Sequence, residues 1–199
     1  MDPSVLNAIK KWPDVPDVFG WLGLDLRGNW LLKGDVIANP GICEFIGRNY
    51  AADEHGRWFF QNGPQRVFVS LAYAPFVLRT TGDNDPCLMT QTGLRLDRIS
   101  GAWIDETGTM ILRWPAGLGS VCDRDLSQVA DWLTNANGTP LADETLIKLL
   151  ESPAAHGSAG FWLNYRTQKF PVGRVLSGLV PQKFAFDRSP QPAPGQPDC

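Results

Sequence analysis

The sequence predicts an α+β fold in two related parts, and three observations carry that reading. First, 20 Gly and 16 Pro punctuate a chain of 199 residues that also holds 8 Trp and 10 Phe. So many breakers beside so many aromatics favour short strands and turns over a helical bundle. Second, a few short segments instead place apolar residues at helical spacing behind a capping residue. Third, the chain echoes itself. Gly34-Asp35-Val36-Ile37-Ala38-Asn39 precedes one such helix, and Gly138-Thr139-Pro140-Leu141-Ala142-Asp143 precedes another. Each helix is followed by a His-Gly step (His55-Gly56, His156-Gly157) and an aromatic strand, Trp58-Phe59-Phe60 or Phe161-Trp162-Leu163. An offset of about 104 residues fits a duplicated α+β unit, with coincidence as the competing explanation for only two copies.

The elements follow in order. Asp2 and Pro3 open a short helix with Val5, Leu6, Ile9 and Trp12 on one face, stopped by Pro13 and Pro16. Two apolar runs around Arg27-Gly28-Asn29 read as a β-hairpin. Asn39-Pro40 caps a helix carrying Ile42, Cys43, Phe45 and Ile46 and ending near Tyr50. Asp53-Glu54-His55-Gly56 is turn chemistry. Strands at 57–61 and 66–71 flank Asn62-Gly63-Pro64, the second with Val67, Val69 and Leu71 on one face and Arg66, Phe68 and Ser70 on the other. Phe76 to Leu78, after Pro75, reads as an edge strand. Strands are expected at 94–99 and 102–104, and Asp105 to Gly108 turns into one at 110–114. A helix capped by Asp123 or Asp125 carries Leu126, Val129, Ala130 and Leu133, and a second runs from Asp143 to Glu151. Residues 157–160 read as flexible, 161–165 and 169–172 as strands, and 174–186 as holding one more. The domain reading is 1–18, helix and linker; 19–82, first sub-domain; 83–188, second sub-domain with an inserted helix; 189–199, proline-rich tail.

Several blocks match a known family in order. Gly28-Asn29-Trp30-Leu31-Leu32-Lys33-Gly34-Asp35-Val36-Ile37 resembles the opening of the bacterial domain-of-unknown-function 1285 proteins. Asp53 to Phe60, Arg66 to Leu71 and Ala74-Pro75-Phe76 resemble that family's next block, and Phe161-Trp162 with Phe170-Pro171-Val172-Gly173 its closing one. Val36 departs from the family's proline, 135–159 looks like an insertion, and the tail has no counterpart. The resemblance implies two similar sub-domains, each a small curved, mostly antiparallel sheet with a short helix. It implies no activity beyond a suggested signalling or regulatory role.

The chemistry is sparse. Net charge is −3, which gives no bulk attraction to nucleic acid or acidic membranes. Arg57, Arg66, Arg95 and Arg98 interleave with aromatics but form no basic cluster, so nucleic acid is not an expected partner. No apolar run approaches the roughly 20 residues of a membrane span, and Met1 to Trp12 lacks the pattern of a signal peptide. A cytoplasmic protein with reduced thiols is expected. Cys43 and Cys122 lie near helix starts, yet Cys43 also shares an apolar stripe with Ile42 and Ile46, which suits a core thiol better than a nucleophile. No P-loop, dinucleotide fingerprint or metal-ligand spacing is present, so no cofactor or metal is expected.

His55 beside Asp53 and Glu54 has the composition of a carboxylate-held base, although a polar turn explains the same residues more simply. The strand aromatics Trp58 and Trp162, with Arg57 and Arg66, are the types that line grooves and interfaces, where the competing reading is core. The sequence therefore predicts a non-catalytic regulatory or protein-interaction module. The alternative is a small-molecule binder or enzyme using the crevice between sub-domains, with Asp53, His55 and Arg57 as polar groups; for a ligand or a partner alike, Asp53, His55, Arg57, Trp58, Arg66 and Trp162 are the candidate contacts.

Overall fold

The density of turn residues cuts the chain into short strands, which a computed structural model gathers into two curved sheets. It describes residues 1–82, 87–150 and 157–193. The polar loop 83–86, and with it the expected boundary at 83, lies outside the described residues. So do His156 and the tail beyond 193. The chain forms two compact units, one of Met1–Pro75, Gln91–Gly93 and Ala185–Cys199, the other of Phe76–Thr90 and Leu94–Phe184. The fold is α+β with two similar sub-domains, as the sequence predicts.

The first unit opens with α1 (Pro3–Lys11), of which only Val5 is buried, while Leu6 and Trp12 are exposed. Asp2 makes no side-chain cap; its N–H donates instead to Asn49 Oδ1 at 2.7 Å. Strands β1 (Val18–Leu24), β2 (Trp30–Leu32) and β3 (Asp35–Val36) follow. The β1–β2 turn is fixed by Asp25, whose carboxylate accepts the N–H groups of Arg27 and Asn29, both at 2.8 Å. Helix α2 (Pro40–Arg48) is capped as expected, Asn39 Oδ1 accepting from Ile42 N at 3.2 Å. Strands β4 (Tyr50–Ala52), β5 (Trp58–Asn62) and β6 (Gln65–Leu71) complete a sheet of order β3-β2-β1-β6-β5-β4, antiparallel except where β1 meets β6.

Both faces of that sheet carry buried aromatics. On one face α2 lays Phe45 edge-on against Phe60 at 5.4 Å and buries Ile46. On the other Phe19 stacks on Phe68 at 4.6 Å and Phe59 meets Phe68 at 5.8 Å. Phe68 is therefore core, on the face that strand alternation gives to Arg66 and Ser70 as well.

The second unit contains β7 (Phe76–Thr80), β8 (Leu88–Thr90), β9 (Arg95–Leu96), β10 (Gly101–Ile104), β11 (Met110–Trp114), β12 (Gly117–Val121), α3 (Leu126–Ala130), β13 (Leu133–Thr134), α4 (Asp143–Leu150), β14 (Gly157–Tyr165), β15 (Gln168–Arg174) and α5 (Val180–Phe184). Its sheet runs β13-β14-β15-β10-β11-β12-β7-β8-β9, with parallel joints at β15–β10 and β12–β7.

Five local expectations change. Strand β7 is not an edge: β12 pairs with it on one side and β8 on the other. Residues 157–160, expected as a flexible link, form the start of β14 and pair with β15 across a register shift. Residues 174–186 hold no further strand after Arg174; a 3-10 turn at Ser177–Leu179 runs into α5. The expected strand at 94–99 shortens to β9. Neither Asp123 nor Asp125 caps a helix with its side chain, and Leu133 begins a strand.

Candidate functional site

Among the sequence candidates, Asp53 and Arg57 form a tight structural unit. The Asp53 carboxylate accepts the N–H groups of His55 (3.0 Å) and Arg57 (2.9 Å), and Arg57 Nε donates to its second oxygen at 2.7 Å. Burial alone would raise the Asp53 pKa. The hydrogen bonds and charge of Arg57, with the His55 N–H, outweigh it and hold the carboxyl below its usual value. The Arg57 guanidinium lies over Phe68 at 4.7 Å, and Arg66 covers Phe59 at 4.9 Å. Trp58 packs on Tyr50 at 4.8 Å.

Gly56 in this turn has φ +74, and a Cβ there would run into the Ala185 carbonyl and stand 2.9 Å from Phe186 Cα. The Gly56 carbonyl accepts Asp187 N at 3.0 Å, and Leu71 N donates to Arg188 O at 2.8 Å. The turn is thus the seat on which residues 185–188 clasp the first unit. His55 stands at its tip with 67% of its side chain exposed, 3.6 Å from Glu54. Trp162 belongs to the second unit, half-buried, with Lys169 Nζ 5.3 Å from its ring.

Among the described residues the thiols are occupied or buried. Cys43 Sγ donates to Ile37 O at 3.3 Å. Burial, with Asp123 and Asp125 nearby, pushes the Cys122 thiol up, away from nucleophile chemistry. Among the described residues no group of three or more His, Cys, Asp or Glu could hold a metal ion, and no helix is long and apolar enough to cross a membrane.

A different feature of the first unit has the geometry of a site. Between α2 and the sheet lies a cavity of about 430 Å³. Its interior is formed by Leu22, Ile37, Ile46, Phe60 and Val67, and its rim by Trp21, Leu32 and Ile42. These three rim residues are 42, 50 and 48% exposed. Asn62 and Gln65 are the polar side chains of the lining. A helix of nine residues is too short to cover six strands, so the sheet face beyond Ile46 stays open. Asp53, His55, Arg57, Trp58, Arg66 and Trp162 do not line this cavity. By sequence, Leu22 belongs to the hairpin and Ile42 and Ile46 to the apolar face of the helix. The signal left unused was the surplus of apolar residues around so short a helix.

The DUF2944 family model, described as "Protein of unknown function (DUF2946)", matches residues 1–191. A comparison with curated proteins returns no match. Among solved structures, the chain is similar to a DUF1285 family protein from Silicibacter pomeroyi DSS-3, with 16% identity over 81% of this chain and 85% of that one and a TM-score of 0.51. A DUF1285 family protein from Shewanella baltica OS155 is similar at 11% identity over 55% of this chain and 89% of that one, TM-score 0.42. The resemblance read from the sequence is thus met at the level of fold.

Proposed function

The chain belongs to the DUF2944 family of proteins of unknown function, and from the cavity in its first unit we propose that it is a non-catalytic binding module that takes up a small apolar molecule. The carrying observation is the cavity's combination of size and lining. About 430 Å³ enclosed by aliphatic and aromatic side chains, with two carboxamides, falls within the range of small-molecule sites. Burying an apolar ligand there also covers Trp21, Leu32 and Ile42, which are exposed without one. Uptake without turnover is the step by which such a module would sense a ligand and act in regulation.

The test uses the neutral fluorophore N-phenylnaphthylamine and decanol. Both raise the melting temperature of the intact chain, and decanol displaces the fluorophore. Ile42→Trp, placed at the exposed rim, abolishes both effects while leaving the melting temperature of the free protein unchanged. Absence of any shift, or a shift that survives Ile42→Trp, removes the reading.

A protein-interaction reading keeps one supporting observation. Val36 on the edge strand β3 and Leu32 on its neighbour β2 are both exposed. On that reading Val36→Pro releases a co-purifying partner without altering uptake of the fluorophore.

A further inference from the structure

The apolar cavity adjoins a second, shallower hollow, and Trp21 lines both. Trp21 follows Gly20 in the stretch of β1 where the pairing with β6 shifts between Val18 and Leu22. The tight β2–β3 turn is pinned beside it: Lys33 N donates to Trp21 O at 2.7 Å, and Lys33 takes φ +50. That conformation brings the Lys33 ammonium 3.6 Å from the centroid of the Trp21 ring. A cation on an indole face is partly desolvated on one side and keeps its remaining donors for an anion. No carboxylate among the described residues forms an ion pair with Lys33. Asp25, in the same hollow, is engaged by the N–H groups of Arg27 and Asn29 and by the Asn29 amide at 2.7 Å.

Tail and head can therefore be assigned separately, on the premise that the cavity binds apolar molecules at all. We propose that the ligand is a free, single-chain alkyl carboxylate of medium length. Its tail lies among Leu22, Ile46 and Phe60, and its carboxylate meets Lys33 beside Trp21. Two features select this chemistry. Lys33 is the one cation among the described residues lining the two hollows, which suits a monoanion better than a phosphate dianion. A cavity of about 430 Å³ lies near the lower end of small-molecule sites, which suits one alkyl chain better than the two of a bilayer lipid.

The test is calorimetric titration of the intact chain with octanoate, decanoate and decanol, each below its aggregation threshold. Affinity rises about fourfold for each methylene added to the carboxylate, as burial of alkyl surface requires. The ratio of decanoate to decanol affinity falls about fivefold in Lys33→Gln, is kept in Lys33→Arg, and shrinks as salt is added, the behaviour of an exposed ion pair. An unchanged ratio in Lys33→Gln overturns the carboxylate assignment while decanol binding preserves the cavity. Failure of both decanol and decanoate removes the cavity reading as well. Sedimentation with phosphatidylglycerol vesicles, without binding of free decanoate, overturns the proposal in favour of a membrane surface.

Discussion

Gly56 and Asp53 divide the work of one turn, the first by having no side chain and the second by the hydrogen bonds it accepts. Gly56→Ala forces a left-handed backbone on an L-residue and drives its methyl into the backbone of Ala185 and Phe186. The expected cost is about 2–4 kcal/mol in denaturant unfolding. A loss below about 1 kcal/mol would show that the segment 185–188 yields easily. Asp53 sets a pH dependence of definite sign. Its folded carboxyl titrates below its usual value, so its contribution is complete above about pH 4 and disappears as pH falls through the folded value. Melting temperature should drop on acidification below about pH 4, and Asp53→Asn should be less stable at neutral pH and show a shallower drop. Sequence reading found these residues because Asp, His and Gly together are rare outside turns and sites. It had no means of seeing Ala185, some 130 residues away in the chain, against whose carbonyl Gly56 packs.

At the scale of elements, α2 governs the proposed cavity because it is both short and well capped. Removing the cap in Asn39→Ala should cost about 1 kcal/mol and weaken fluorophore uptake, since fraying the first turn moves Ile42 at the rim. Equal uptake by this variant would mean that the helix start plays no part in the site. Local signals made most elements legible. The Asn39-Pro40 start, the Gly28 turn and the Asp105 turn all write their geometry into a few adjacent residues. Strand β12 was missed for the opposite reason. Its Gly117 and Gly119 look like a loop, yet a Cβ on Gly119 would stand 3.0 Å from the Phe76 carbonyl and 2.9 Å from Leu78 Cγ. The glycines are there so that β7 can lie close, and that partner comes about 40 residues earlier in the chain. The same distance hid the central position of β7. The proposed cavity went unread on similar grounds, because emptiness between elements leaves no residue pattern of its own.

For the whole molecule, the two-part α+β architecture was legible because breakers and aromatics bear on it together. The path of the chain through the parts was not. The sequence reading gives the first sub-domain a single continuous stretch, whereas the first unit also draws on Gln91–Gly93 and on residues from Ala185 onward. Ending the chain after Phe184 should therefore weaken the first unit selectively. Hydrogen exchange would report it as lost protection at Gly56, Arg57 and Leu71, with β10, β11 and β15 in the second unit retaining theirs. Uniform loss across both units would mean that they unfold as one. The clasp at Gly56 also has a consequence for synthesis. The seat is translated early, and the residues that occupy it leave the ribosome roughly 110 residues after Pro75, a delay of about 5–20 s at 5–20 residues per second. During that interval the nascent first sheet waits with Leu71 N and the Gly56 carbonyl unpaired, and a chaperone meeting the polypeptide in this window would find two backbone groups open that residues 185–188 later cover.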